Sequence, residues 1–330
     1  MSLRCQIVLS PPRSAAGYAA LVAGLLDAAA LGRATWAVVP AKGEGVLLGR
    51  WQVAATALSD AGRALPRARR ATGGEAVHFV EGVVAFALAL PDATSLLGGA
   101  RIPPAKVLNR YVRPALGALA HAGLSAGYFG RDFVTVDRRQ VALASFEVDA
   151  RGRALVELFV GVLAPFALPA ALSGYPARAP DAEPPVTTLR EAGRTPDAAS
   201  LAEGVFASFP SRLGVEAERG EPPADGVALP VDEALPARTS GPREVPIGFV
   251  EAHVALDGGV LSAVRLRGDL VATSPTIASL EQAMVGLPPS FDALGAAVDA
   301  ALRAPDAALL GLREGRALPD AVLAACEAAA

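Results

Sequence analysis

Two adjacent arginines lead into a pair of glycines between Arg69 and Gly74, where the sequence reads Arg-Arg-Ala-Thr-Gly-Gly. An arginine guanidinium binds a carboxylate or a phosphate through paired N–H donors. Glycine has no Cβ, so the backbone N–H groups of Gly73 and Gly74 can approach a ligand closely. The stretch therefore predicts a binding site for a small acid or a phosphate. A solvated basic turn is the alternative that the string alone leaves open.

The elements that must position this stretch follow from the apolar pattern, which predicts a mixed α/β protein. Predicted strands cover residues 5–9, 35–39, 46–48, 76–90, 133–136, 141–148 and 154–162. Predicted helices cover residues 14–31, 53–65, 107–122 and 198–208. We expect the third helix to be kinked at Pro114. The glycine pair would thus stand at the entrance of the long strand 76–90.

Composition changes after residue 217. Residues 218–246 are rich in proline, glycine and charge and have no apolar period, which predicts an interdomain linker or a long excursion. Residues 250–256 and 260–266 then alternate around Asp257-Gly258-Gly259, the pattern of a hairpin. Predicted helices follow at 277–285, 291–303 and 319–326. The sequence therefore predicts a domain at 1–217, a linker at 218–246 and a second domain at 247–330.

Composition also limits the class of protein. The 330 residues are 52% hydrophobic and 19% charged, which is typical of a globular chain with room for two domains. A net charge of −3 argues against nucleic-acid binding through bulk charge. Cys5 and Cys326 form no CxxC pair, and the three histidines lack metal-ligand spacing. No targeting or spanning segment is recognisable, so we expect a soluble cytoplasmic protein without a protein-ligated metal, nucleic-acid partner or membrane partner.

The arginine–glycine string resembles the Arg-Arg-x-Thr/Ser-Gly-Gly signature of the biotin- and lipoate-protein ligase superfamily. Further segments follow in the order of that superfamily. Residues 48–52 resemble its Gly-Arg-x-Gln turn, and Arg131-Asp132 stands where it has Asn-Asp. Residues 136–145 resemble its Gly-x-Lys-Ile/Val-x-Gly segment, and residues 267–270 and 280–286 resemble the accessory domain of bacterial lipoate ligases. The chain is identified as a divergent member of the lipoate-protein ligase A family.

The resemblance implies an α/β (α+β) fold, in which a catalytic domain with a mainly antiparallel sheet carries a small α+β C-terminal accessory domain. It implies ATP- and magnesium-dependent activation of lipoate or a related acid, followed by transfer to a lysine of a lipoyl-carrier domain. Fixed donors would stabilise the negative charge that grows on the phosphate and the carbonyl. The implied catalytic residues are Asp132 and Gln140. The implied substrate-binding residues are Arg69, Arg70, Thr72, Gly73, Gly74, Val77 and Phe79.

Three positions depart from the family pattern. Gln140 stands where the family has its catalytic lysine, and a glutamine amide donates a hydrogen bond but carries no charge. Leu143 replaces a glycine of the same segment, and Glu75 replaces the glycine after the glycine pair. Arg138 and Arg139 are neighbouring cations, which we interpret as exposed residues of a hairpin turn.

Two functional hypotheses follow from these departures. In the first, the chain is an ATP-dependent lipoate-protein ligase that tolerates Gln140. In the second, it is a non-catalytic homologue that binds an acyl ligand or a carrier protein. Formation of lipoyl-adenylate from lipoate, ATP and magnesium separates the two hypotheses.

Overall fold

The computed structural model describes residues 4–96, 102–179, 183–312 and 316–328. The strands in chain order are β1 (Cys5–Leu9), β2 (Ala34–Pro40), β3 (Glu44–Leu48), β4 (Arg67–Arg69), β5 (Val77–Val80), β6 (Val83–Leu90), β7 (Ala126–Gly127), β8 (Phe133–Val136), β9 (Arg139–Val148), β10 (Ala154–Gly161), β11 (Ala217–Arg219), β12 (Arg238–Thr239), β13 (Arg243–Val245), β14 (Gly248–Asp257), β15 (Val260–Gly268), β16 (Val271–Ala272) and β17 (Leu309–Leu310). The α-helices are α1 (Ala15–Ala30), α2 (Ala54–Ala57), α3 (Asp60–Ala64), α4 (Val107–Tyr111), α5 (Arg113–His121), α6 (Ala198–Leu213), α7 (Ser274–Met284), α8 (Phe291–Leu302) and α9 (Ala317–Glu327).

A large sheet forms the centre of the N-terminal part, with strands in the order β11-β1-β2-β6-β10-β9-β8-β7. Strands β11, β1 and β2 are parallel, and the pairings from β2 to β7 are antiparallel. Helices α4, α5 and α6 pack on one face, and α1 with the small sheet β4-β3-β5 covers the other. Burial of both faces explains why β6 is a continuous apolar run and why β10 is apolar except for Glu157. The predicted α+β fold with a mainly antiparallel sheet is confirmed.

The predicted strand 76–90 was wrong as a single element. Gly82 adopts a φ of +98°, a conformation that favours glycine, and the chain turns there. The first half becomes β5 in the small sheet, and the second half becomes β6 in the large sheet. Val and Phe residues occur in both halves because each half packs in a different layer, and Glu81-Gly82 is the polar interruption that marks the turn.

Two predicted helices are also divided. The helix predicted at 53–65 splits into α2 and α3, because Leu58 is extended and the Ser59 side chain caps α3 by accepting from the Gly62 N–H. The helix predicted at 107–122 breaks between α4 and α5, just before Pro114, which lies in the first turn of α5. That position needs no backbone donor, so proline is tolerated there.

The C-terminal part is built on the hairpin β14–β15, which turns at Asp257-Gly258-Gly259 as predicted. Helices α7, α8 and α9 form an apolar cluster with this hairpin. The three helices agree with the predicted positions within a few residues. Among the described residues, no helix is both long enough and apolar enough to span a membrane.

Residues 218–246 are hydrogen bonded along their length to the rest of the chain. The Gly220 N–H donates to the Ile7 carbonyl at 3.0 Å, and the Gly226 N–H donates to the Ala20 carbonyl at 2.8 Å. Strands β12 and β13 at the other end of the segment pair with β14. The segment is thus tied to both parts of the chain, and we retain 1–217 and 247–330 as the proposed domains.

Backbone contacts join the glycine pair to the C-terminal part. The Gly74 N–H donates to the Leu270 carbonyl at 2.9 Å, and the Gly268 N–H donates to the Trp51 carbonyl at 2.9 Å. A Cβ built on Gly73 would lie 1.9 Å from the Leu270 carbonyl oxygen. The close backbone approach that the glycines permit is therefore made to the chain itself.

We expect Gly73→Ala to destabilise the protein by ~1–3 kcal/mol. The new methyl group would overlap the Leu270 carbonyl and force a backbone shift. The matched control is Gly295→Ala in α8, where the nearest atom would lie 4.0 Å from the added Cβ and alanine has the higher helix propensity. The free energy of unfolding is measured by urea denaturation. Equal stability of the two variants would contradict the packing at the glycine pair.

Candidate functional site

Arg69 holds backbone segments together. Its guanidinium donates to the carbonyls of Gly49, Arg50 and Gln52 at 3.1, 2.8 and 2.7 Å, and also to the carbonyls of residues 230–231. The residue is 6% exposed. Through these bonds Arg69 holds the turn at 49–52 in position.

Arg70 and Thr72 point into the core, towards the buried carboxyl group of Glu157 on β10. The Thr72 hydroxyl donates to one Glu157 oxygen at 2.5 Å, and the Tyr18 hydroxyl donates to the other at 2.6 Å. The Arg70 guanidinium lies over the Phe159 ring, 5.3 Å from its centroid. Burial lowers the pKa of Arg70, and the nearby Glu157 opposes that shift. Arg70 and Thr72 thus belong to a closed network around a buried carboxyl group.

Val77 and Phe79 are two of the substrate-binding residues that the resemblance implies, where they could wall an apolar tunnel for an aliphatic tail, and both are fully buried on β5. Phe79 packs against Tyr18 and Phe159 with ring centroids 5.2 and 6.4 Å apart. Leu143 lies opposite Phe159 in the β9–β10 register and belongs to the same apolar cluster. Aromatic rings therefore fill the space beside β5 in which the resemblance places an aliphatic tail.

Gly73 and Gly74 lie where β9 meets the C-terminal part. The Ser145 hydroxyl donates to the Gly73 carbonyl at 2.9 Å, and Gly74 adopts a φ of +88°. The Gly74 N–H is already bonded to Leu270. The structure thus brings the glycine pair next to Arg70, and one of its backbone donors serves the contact between the two parts of the chain.

Gln140 lies at the start of β9 with its side chain buried. Its Nε2 donates to Glu183 Oε2 at 3.2 Å, and its backbone pairs with residues 185–187. Asp137 and Arg138 form the preceding turn with φ values of +48° and +62°, and Arg139 is exposed beside Glu191. Both arginines are exposed as we expected, but only Arg138 lies in the turn, because Arg139 is the first residue of β9.

An ion-pair network connects Gln140 to the glycine pair. Arg178 bonds Glu183 at 2.7 Å and Glu75 at 3.1 Å, and Arg131 bonds Glu183 at 3.2 Å. Asp132 lies 3.5 Å from the Arg131 guanidinium. The structure therefore joins the two predicted catalytic positions, Gln140 and Asp132, through Glu183.

Sequence reasoning missed Arg178 and Glu183, because they lie in an irregular Ala/Pro-rich segment without a period or motif. Glu75 could have been identified from the sequence, because it follows the glycine pair where the resemblance expects another glycine. Asp269 could also have been identified, because it lies in the segment that resembles the accessory domain.

A cleft of about 310 Å³ opens between the glycine pair and the C-terminal part. We call it the acidic cleft, and its principal lining residues are Gln52, Glu75, Tyr175, Arg178, Phe249 and Asp269. Gln52 bridges the two parts, because its Nε2 donates to Asp269 at 2.6 Å and its Oε1 accepts from the Gly49 N–H at 2.7 Å.

The carboxyl groups around this cleft have raised pKa values. Burial raises the pKa of Asp269 to about 7, although it accepts hydrogen bonds from the Phe249 N–H and Gln52. Burial also raises the pKa of Glu75, and Asp269 and Glu183 add to this effect. The pKa of Asp132 is raised to about 6, first by burial and then by Glu183. The main cause in each case is burial, which disfavours the charged form of a carboxyl group.

Solved structures of lipoate-protein ligases share this fold. The lipoate complex of LipL1 from P. falciparum has 13% identity and a TM-score of 0.59, and the match covers 84% of this chain and 88% of that one. Lipoate-protein ligase A bound with ATP has 13% identity and a TM-score of 0.51, with 67% and 89% coverage. A bipartite lipoate protein ligase from T. acidophilum, described with its E2 lipoyl domain, has 13% identity and a TM-score of 0.51, with 67% and 87% coverage.

These similarities confirm the predicted lipoate-protein ligase fold. No protein-family model matches the sequence, and no curated protein sequence matches it.

We expect Tyr18→Phe to destabilise the protein by ~1–3 kcal/mol, because it removes a donor from a buried carboxyl group. Tyr111→Phe is the matched control, since it removes a hydroxyl that donates to the Ala93 carbonyl at 2.7 Å and should cost ~1 kcal/mol. Urea denaturation measures both. A smaller loss for Tyr18→Phe than for Tyr111→Phe would contradict the role of the Glu157 network.

The raised pKa of Asp132 predicts a pH-dependent effect of Asp132→Asn. A folded-state pKa of about 6 exceeds the ordinary value of ~3.9, so the stability from protonated Asp132 is complete below pH ~4 and is lost as the pH rises through 6. Asparagine does not ionise. The stability of Asp132→Asn relative to the natural protein should therefore rise by ~1–3 kcal/mol from pH 4 to pH 7.

The control for this measurement is Asp306→Asn, which makes the same substitution at an exposed position. A flat difference for Asp132→Asn would show that Asp132 titrates alike in the folded and unfolded chain.

Proposed function

We propose that the chain is a lipoate-protein ligase-like protein that binds a carrier domain and has lost ATP-dependent activation of lipoate. The observation that carries this proposal is the group of carboxylates, Glu75 and Glu183, between Gln140 and the glycine pair. The resemblance places a lysine and an anionic adenylate in this region.

Electrostatics argues against an adenylate here. Adenylation and acyl transfer build negative charge on phosphate and carbonyl oxygens, which fixed cations and N–H donors must stabilise. Gln140 supplies a neutral amide that already donates to Glu183. Arg178 and Arg131 are both paired with Glu183. ATP and magnesium therefore do not fit the residues present, and we derive no chemical step through them.

Several donors of the arginine–glycine stretch are also engaged within the chain, although the buried Arg70 Nε has no hydrogen-bond partner among the described residues. Arg69 serves backbone carbonyls, the Thr72 N–H lies 3.3 Å from Glu157, and the Gly74 N–H serves Leu270. A nucleotide or acyl phosphate would have to displace these bonds. Each displaced buried group would lose its partner at a cost of about 1–3 kcal/mol.

A carrier domain suits the geometry better than an acyl ligand. An acyl chain needs the space that Phe79 and Phe159 fill. A carrier domain instead presents a lysine, whose ammonium group is attracted by the carboxylates that would repel an adenylate. One structural neighbour is described with its E2 lipoyl domain, which supports this choice of partner.

The working ligase remains the second candidate. It is favoured by the structural similarity to a lipoate complex and an ATP complex over most of the length of those chains. In that case lipoate or a related acid, ATP and magnesium would be its substrates and cofactors.

Incubation with lipoate, ATP and magnesium should give no detectable lipoyl-adenylate or pyrophosphate. Loss of one positioned donor costs ~3–4 kcal/mol of barrier, or about two to three orders of magnitude in rate. Gln140→Lys alone should restore little, since Glu183 would pair with the new ammonium. Gln140→Lys combined with Glu183→Gln, Glu75→Gly and Leu143→Gly removes both competing carboxylates and restores the family pattern at residues 140, 75 and 143. This variant should raise the rate if the remaining site is intact.

Arg138→Lys is the matched control, because it adds a lysine on the exposed turn two residues away. It should leave activity at the background level. Robust turnover by the natural sequence would overturn the proposal in favour of the working ligase. Binding of a lipoyl-carrier domain, measured by calorimetry without ATP, tests the second half of the proposal separately.

A further inference from the structure

We infer that the acidic cleft binds an aliphatic primary ammonium group, held between the carboxylates of Glu75 and Asp269 and the stacked rings of Tyr175 and Phe249. This inference rests on the proposed function, because a cleft that accepted an adenylate would not accept a cation in the same place. It specifies the chemical class of the ligand and the residues that recognise it.

The first observation is a pair of carboxylates that face one cleft from the two parts of the chain. Glu75 follows the glycine pair, and its side chain is about one-third exposed at 33%. Asp269 lies in the turn after β15 and is 2% exposed. Arg178 neutralises part of this charge through Glu75. Opposite-sign attraction in such a partly desolvated cleft is stronger than in bulk water.

The second observation is independent of these carboxylates. The hydroxyl oxygen of Tyr175 is buried and has no hydrogen-bond partner among the described residues, although Tyr175 lines the cleft. Burial raises the pKa of Tyr175, with Asp269, Glu251 and Glu75 adding to the effect, so the hydroxyl stays protonated and close to these carboxylates. A buried hydroxyl without a partner points to a polar ligand atom beside it.

The third observation is the shape of the remaining wall. The Tyr175 and Phe249 rings stack with centroids 4.8 Å apart. Ala57, Ala76 and Leu168 add an apolar surface. Aromatic faces attract ammonium groups, and an apolar wall suits a short alkyl stem. A volume of about 310 Å³ lies at the low end of small-molecule pockets, which favours a small ligand.

An N–H-bearing cation fits better than a quaternary one. Among the described residues, Arg178 donates a hydrogen bond to one carboxylate oxygen of Glu75. The other oxygen can accept a hydrogen bond from a ligand. The Tyr175 oxygen can also accept. A primary ammonium has three donors for such acceptors, whereas a trimethylammonium has none.

The test measures binding of n-butylammonium by calorimetry and by saturation-transfer NMR on the full chain. Butyltrimethylammonium, 1-butanol and butyrate serve as ligands of similar stem but different head group. We expect n-butylammonium to bind at least tenfold more tightly than each of the three. Equal binding of n-butylammonium and 1-butanol would overturn the inference.

Two variants identify the site. Glu75→Gln should weaken n-butylammonium binding at least tenfold, and Tyr175→Phe should weaken it severalfold while retaining the ring. Glu216→Gln is the matched control, because its side chain is 83% exposed at a distance from the cleft, and it should leave binding unchanged. Circular dichroism and the thermal midpoint confirm folding of each variant. Unchanged binding in both Glu75→Gln and Tyr175→Phe would overturn the assignment.

Two sources of the ammonium group are distinguished by a further ligand, Nα-acetyl-lysine methylamide. Binding of this compound as tight as that of n-butylammonium supports a protein lysine as the source. Binding of n-butylammonium alone supports a free small amine. The same measurements separate the inference from the proposed function. Formation of lipoyl-adenylate would overturn the proposed function. If neither lipoyl-adenylate formation nor ammonium binding is observed, only the inference is overturned.

Discussion

The contact of two backbones at the glycine pair fixes the rest of the site. The Leu270 carbonyl accepts from the Gly74 N–H and lies 1.9 Å from where a Gly73 Cβ would be, so only glycine permits this approach. Gln52 then reaches Asp269 across the same junction. Because this docking places Asp269 opposite Glu75, the acidic cleft exists only while the two parts of the chain are joined.

The main sheet could be predicted from the sequence because its strands carry long apolar or alternating runs bounded by turn residues. The division at Gly82 was missed because the short Glu81-Gly82 interruption lies between two runs that are both rich in Val and Phe. The same limit applies to α2 and α3, which are single turns held by packing and by the Ser59 cap. Secondary-structure periodicity reports burial, and it does not report which layer an element joins.

The site that the sequence predicts stays a prediction, and the structure adds what its residues contact. The string at 69–74 indicated a loop with possible ligand donors, but it could not show that Arg69 faces backbone carbonyls while Arg70 lies near Glu157. Adjacent residues of an extended chain point to opposite sides, and the partner of each side comes from distant segments. Arg178 and Glu183 come from an irregular segment whose position is set only by the folded chain.

Two departures from the family pattern, at residues 140 and 75, both make the charge of the site more negative. Together they are stronger evidence than either one alone. Gln140 removes a positive charge, and Glu75 adds a negative one. Leu143 and Phe159 occupy apolar space where the family brings backbone and ligand together. Buried carboxylates are costly without a partner, and burial raises the pKa values of Asp132 and Asp269 even though Arg131 and Arg178 lie nearby. A second anion would further disfavour the ionised form of these groups, whereas a cation would favour it, so the proposed ammonium ligand agrees with these carboxyl groups and an adenylate does not.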